Sequence, residues 1–235
     1  MICPVRGFSP FEAVEPHHLT GTLTVPRRAG GVVVVAQAEG TTEPSAFQQA
    51  AADLLRPLGL ATCTVDLLDP IETENQKAAD DVDLLTERLE RVVEFLADHP
   101  QTWHLAPGIL CNGMVAAAAA TLASERPGLF RALVCCAGRP DLSLAGARFI
   151  VAPTLLIAPG RRAAQLRANE NFFLQLRCPS QLALVRQPED QESDARLLET
   201  SARQIRDWYR THMRRAPRIL AAETGEAKTG TGGQP

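Results

Sequence analysis

Histidine is scarce in this chain, five among 235 residues. His17, His18, His99 and His104 all lie in the first half, which leaves His212 as the lone imidazole after residue 105. No C-x-x-C pair occurs, and no His/Cys grouping has the spacing of a zinc site, so no bound metal is expected. No G-x-G-x-x-G follows a strand-like run and no G-x-x-x-x-G-K-[ST] is present. Nucleotide binding therefore has no motif behind it, and no cofactor is expected. The first residues, Met1-Ile2-Cys3-Pro4-Val5-Arg6, lack the positive start and apolar core of a secretory signal. No stretch reaches the roughly 20 apolar residues of a membrane helix, so no membrane association is expected. A net charge of −3 gives no reason to expect nucleic acid as a partner. The small Arg214, Arg215, Arg218 cluster reads as a solvated helix end.

What is present suits one globular domain: 45% apolar and 22% charged residues over a length that can bury a sizeable core. Six cysteines stand at 3, 63, 111, 135, 136 and 178. Cys63, Cys135 and Cys136 sit in apolar runs, where a free cysteine behaves as a small hydrophobe. That usage points to a reducing compartment, and the expected location is cytoplasmic.

Residues 1–18 carry three prolines and read as irregular. Leu19–Val25 alternates with period two, as a half-exposed strand does, and the run Val32–Ala36 suits a strand covered on both faces. Further buried strands are expected at Leu60–Val65, Leu105–Leu110, Ala132–Cys136, Ala152–Ala158 and Gln181–Val185. Helices are expected between them, the clearest from Asp81 to Ala97, with a last one from about Ala195 to Met213. Residues 69–80 read as a long surface loop, with room for a short helix. Alternating strands and helices imply a mainly parallel sheet of about seven strands, with only Leu19–Val25 antiparallel at the edge. Residues 19–213 form this domain, and residues 221–235, rich in Gly, Thr and Glu, are expected to be disordered.

The segment Leu105–Met114 with the alanines that follow reads as strand, sharp turn and tightly packed helix, with Cys111 at the turn. A thiol near a helix N-terminus is favoured as thiolate. Cys111 is thus either a nucleophile or a buried structural cysteine.

This strand–turn–helix resembles the nucleophile elbow of the α/β-hydrolase fold. Residues 19–213 resemble its small, single-domain, dienelactone-hydrolase-like members. The likeness rests on Leu19–Pro26, Asp66–Pro70, Asp83–Leu89, Ala137–Leu142 and Ala152–Ile157. The resemblance implies a three-layer α/β fold and hydrolysis of a small ester or lactone. It places the nucleophile at Cys111, an oxyanion N–H at Asn112, and an oxyanion loop at Gln37–Gly40. The family acid falls on Arg162. The family histidine falls in Arg186–Asp190, which has none, with Asp190 as its equivalent.

Those departures remove the usual proton carrier. Arginine has no acceptor and stays charged. Aspartate, with an unperturbed pKa near 4, is a poor match for a thiol. Arg162 and Asp190 are expected to pair with each other, or to point to solvent. The glycine favoured two residues before the nucleophile is Ile109, which would strain or relax the elbow. Glu39 is a candidate auxiliary acid or base, or a solvated loop residue. Gln37 could offer its amide to a bound carbonyl. The expected pocket groups Gln37, Glu39, Cys111, Asn112, Arg162 and Asp190. Two readings follow: a non-catalytic member binding a small molecule or a protein, or an unconventional Cys-dependent hydrolase. A homodimer stays open.

Overall fold

The computed structural model describes residues 6–13, 19–73, 76–186 and 193–213. Eight strands form one sheet: β1 (Arg6–Ala13), β2 (Leu19–Val25), β3 (Val32–Gln37), β4 (Ala61–Asp66), β5 (Pro107–Gly113), β6 (Leu133–Gly138), β7 (Thr154–Pro159) and β8 (Ser180–Val185). Their order across the sheet is β1-β2-β4-β3-β5-β6-β7-β8. From β4 to β8 every neighbour is parallel, whereas β2 runs antiparallel to β4 and β1 antiparallel to β2. The sheet thus has one strand more than expected. Residues 6–13, expected to be irregular, supply the edge, and β2 lies one place inside it. The expectation of disorder for residues 221–235 falls outside the described residues.

The β-branched run of β3 shows how the layers arise. Val32 and Val34 enter one apolar cluster, Val33 and Val35 the other, because successive side chains leave a strand on opposite faces. On the first face pack α4 (Val82–Asp98), α5 (Val115–Glu125) and α6 (Ala163–Gln175). On the second pack α1 (Ala46–Leu55), α7 (Asp194–Thr200) and α8 (Ala202–His212). The helix starts are chemically marked. Ser45 and Gln48 form a reciprocal capping box at α1, and the Asp81 carboxylate accepts from the Leu84 N–H at 3.0 Å at α4. Residues 69–80 contain two short helices, α2 (Pro70–Thr73) and α3 (Gln76–Asp80). The single last helix expected from 195 is two, broken at Ser201.

Candidate functional site

The corner after β5 lies at Gly113, two residues beyond the expected position. Gly113 has φ +52°, the left-handed region that favours glycine, and α5 begins at Val115. A Cβ built on Gly113 would meet nothing within 4 Å, so the space ahead of the corner is open. Cys111 is still inside the sheet, opposite Ala36 on β3 and Cys135 on β6. It has no solvent exposure. Its thiol donates to the Val134 carbonyl at 3.6 Å and lies 4.0 Å from the Cys135 Sγ. Contact with the Cys135 thiol, then burial, push the Cys111 thiol well above its ordinary range. Such a group is a neutral core hydrophobe at neutral pH. The placement of Cys111 at the turn is therefore corrected: strand pairing continues past it to Gly113, which lies opposite Gly138. Ile109 is likewise a fully buried mid-strand residue, so the strain expected at its position does not arise.

Beside the corner, the end of β4 organises the loop after β3. The Asp66 carboxylate accepts the backbone N–H groups of Glu39 (3.1 Å), Gly40 (3.0 Å), Thr41 (2.9 Å) and Leu68 (3.2 Å). It also accepts from the Thr41 hydroxyl at 3.0 Å and from Gln37 Nε2 at 2.9 Å. Gln37 is fully buried, donates a second time to Thr41 Oγ1 and accepts from the Ser45 hydroxyl. Gln37 is thus engaged inside the fold, not facing a pocket, which corrects its expected role. Asp66 itself was not singled out as a site residue. Its signal in the sequence is an acid ending a buried β-branched strand.

On the far side of the corner the structure gathers three of the expected residues. Asn112 is 5% exposed; its Nδ2 donates to Asp194 Oδ2 at 3.0 Å, and its amide is near enough to the Glu39 carboxyl to favour the charged form there. Arg162 Nη1 lies 3.9 Å from Asp194 Oδ1. Asp194 opens α7, whose N-cap is Ser193. It was missed in the sequence, where the last helix was read as starting at Ala195. Asp190, the expected partner of Arg162, lies outside the described residues. Burial pushes the Asp194 carboxyl above its usual range, against the pull of the Asn112 amide and then of Arg162. Glu39 is raised too, by desolvation first and then by the Asp66 charge. The arrangement is one amide bonded to the Asp194 carboxylate and beside that of Glu39, with a guanidinium at its edge.

The described histidines stand at the other end of the sheet. His212 packs on Trp208 with ring centroids 4.4 Å apart, and burial and Arg131 lower its pKa. Its neighbour Met213 reaches Gly31 and Gly108, at the starts of β3 and β5. The strand from Gly108 to the corner spans about 16 Å at about 3.3 Å per residue. His99 packs on Phe95, and His104 on Trp103, in the segment leading into β5. Among the described residues, no group of three or more His, Cys, Asp or Glu side chains is placed to hold a metal ion. Among the same residues, no helix is long and apolar enough to cross a membrane.

A mostly parallel sheet between two helical layers, with a strand–glycine–helix corner at its centre, is the α/β-hydrolase fold, and its structural neighbours are dienelactone-hydrolase-like. The dienelactone hydrolase of Anabaena variabilis superposes with a TM-score of 0.79 at 29% identity, over 88% of this chain and 98% of that one. A dienelactone hydrolase-like promiscuous phosphotriesterase from metagenomic libraries gives 0.64 at 16% identity, over 83% and 92%. In sequence, the chain is 34% identical over 210 residues to a Mycobacterium tuberculosis protein provisionally named a phosphoribosyl transferase, found in two strains. That alignment takes in 89% of this chain but 47% of the relative, so the chain spans about half the length of the curated relatives it matches. No protein-family model matches the chain.

Proposed function

We propose that this chain is a non-catalytic member of the dienelactone-hydrolase-like group, binding a small molecule at the corner after β5. The observation that carries the reading is Gly113: the residue with left-handed backbone, facing open space, has no side chain to act as nucleophile. Acyl transfer to a side chain needs a nucleophile and a base within hydrogen-bond reach of each other. Here the nearby sulfur of Cys111 is turned into the core, and the groups beside the corner are Asn112, Asp194, Glu39 and Arg162. These can donate to and accept from a bound carbonyl compound without breaking it. The esterase-like neighbours favour a ligand of small-ester or lactone size. The transferase chemistry named for the longer relatives belongs, in this reading, to the half of those proteins that this chain does not match.

The test is steady-state hydrolysis of p-nitrophenyl acetate by the wild type and by Cys111→Ala, with iodoacetamide labelling of the native protein mapped by mass spectrometry. Neither protein should exceed the buffer rate, and Cys111 should stay unlabelled. Turnover by the wild type that disappears in Cys111→Ala would establish the thiol-hydrolase alternative instead.

A further inference from the structure

A second concave site lies away from the corner, on the sheet face beside α1. β2 and β4 pair antiparallel with Thr22 opposite Thr64 and Thr24 opposite Thr62. The residues between them, Leu23 and Cys63, go into the core on the other face, so all four threonines share one side. Together with Ala52 of α1 and Leu60 they line a groove of about 420 Å³, within the size range of small-molecule sites. On an open antiparallel face threonines are usually solvated. Here Thr62 and Thr64 are only 6% and 8% exposed. Thr64 Oγ1 reaches the Thr22 carbonyl at a long 3.4 Å, and the hydroxyls of Thr22, Thr24 and Thr62 make no hydrogen bond among the described residues. The Thr62 side chain is thus mostly buried while its hydroxyl still opens into the groove, so the floor presents unengaged hydroxyls to whatever fills it.

We infer that this groove binds a neutral polyhydroxylated ring, of the monosaccharide or cyclitol class. Cross-strand partners lie about 5 Å apart and same-face neighbours along a strand about 7 Å, so the floor offers hydroxyls on a rectangle of ring size. Each threonine hydroxyl both donates and accepts, which suits a ligand whose own groups are hydroxyls. The charges on the lining are Asp53 and Arg56, which pair with each other at 2.9 Å, more than half exposed, so they call for no charged ligand. Ala52 and Leu60 supply apolar wall for the C–H face of a ring. The site shares no residue with the corner and stands or falls independently of it.

The experiment is a titration of the full chain, carrying 13C-labelled threonine methyl groups, with myo-inositol and with glucose into the tens of millimolar. Saturable shifts confined to Thr22, Thr24, Thr62 and Thr64 are expected. The double variant Thr62→Val/Thr64→Val keeps β-branched, strand-compatible side chains and removes two hydroxyls. It should bind at least about tenfold more weakly, the effect of one lost hydrogen bond or more. Ala52→Phe, which fills the groove from the helix and leaves the floor chemistry intact, should abolish the shifts. Shifts that do not saturate, that spread over the other threonines, or that survive both variants would overturn the proposal. So would equal binding of cyclohexanol, which would show an apolar cleft indifferent to the hydroxyls.

Discussion

Two regions of the same sheet edge behave differently. On the β3/β4 side, Asp66 meets four backbone N–H groups, one hydroxyl and one amide. Just beyond it, Arg88, 2% exposed on its side chain, donates to the Leu67 carbonyl at 2.7 Å and pairs with both oxygens of Glu72. On the β5/α7 side, among the described residues, Asp194 keeps one short hydrogen bond, from Asn112, and an ion-pair distance of 3.9 Å to Arg162. In the first region the Asp66 carboxylate is fully engaged and fixes the loops. The second holds carboxyl groups that the fold keeps poorly compensated, beside a corner with open space. Groups left so are the ones available to a ligand, which is why the binding proposal sits there.

If that contrast is right, damage on the saturated side should dominate stability. Asp66→Ala leaves several buried donors without an acceptor and should cost about 4 kcal/mol. Urea denaturation would read this as a large fall in midpoint at unchanged slope. A loss below about 1 kcal/mol would mean that water replaces the carboxylate with ease, and the two regions would not differ as argued. Glu72→Ala should come next, at about 3 kcal/mol, since it takes both carboxylate bonds from a buried guanidinium. Arg88→Met, which removes the charge and fills the space, should cost less than Glu72→Ala. The reverse order in thermal melts would show that the pair is worth more than the burial of either member.

Gly113→Ser should cost about 1 kcal/mol, because a Cβ is placed in left-handed backbone while the space ahead is free. It should still not hydrolyse p-nitrophenyl acetate, since no described histidine stands at the corner to take the serine proton. Turnover by this variant would show that a corner carboxylate, Asp194 or Glu39, can serve as its base, and would return the corner to catalytic use.

The outline of the sheet was legible because β3 to β8 are short, largely apolar runs separated by helices, two of which, α1 and α4, carry side-chain caps, and each signal is local. The Val32–Val35 run, for example, can only be covered on both faces. The corner was harder. Cys111-Asn112-Gly113 offers three small or polar residues, any of which could end a strand, and what settles the matter is pairing with β6 up to Gly138, a contact 25 positions away in sequence. Arg162 was readable as a candidate from the sequence itself. Its described partner Asp194 was not, because Asp194 sits in a capping pattern, Ser193 then Asp194, that has a complete local explanation. Asp66 shows the same limit from the other side: four of its bonds go to backbone amides, which carry no residue-type signal. β1 was missed because its pairing with β2 is not announced by alternation.

The smallest effect is the most discriminating, because its sign reports which force governs the corner. Burial raises the folded-state pKa of Asp194 above its value in the unfolded chain, and the Asn112 bond and Arg162 only partly oppose this. The folded protein therefore holds that proton more tightly than the unfolded one. Stability must then fall as pH rises from the ordinary carboxylate range near 4 up to the raised value, and stay at the reduced level above it. Glu39, raised for the same reason, contributes with the same sign. Asp194→Asn keeps a polar group of nearly the same shape and cannot ionise, so its stability should decline less over that window than the wild type's. The comparison needs urea melts of both proteins at several pH values between 4 and 7. Suppose instead that the wild type gains on the variant as pH rises. Attraction to Arg162 would then outweigh burial, and the corner would be a satisfied ion pair like the one Arg88 makes, with no unmet demand for a ligand.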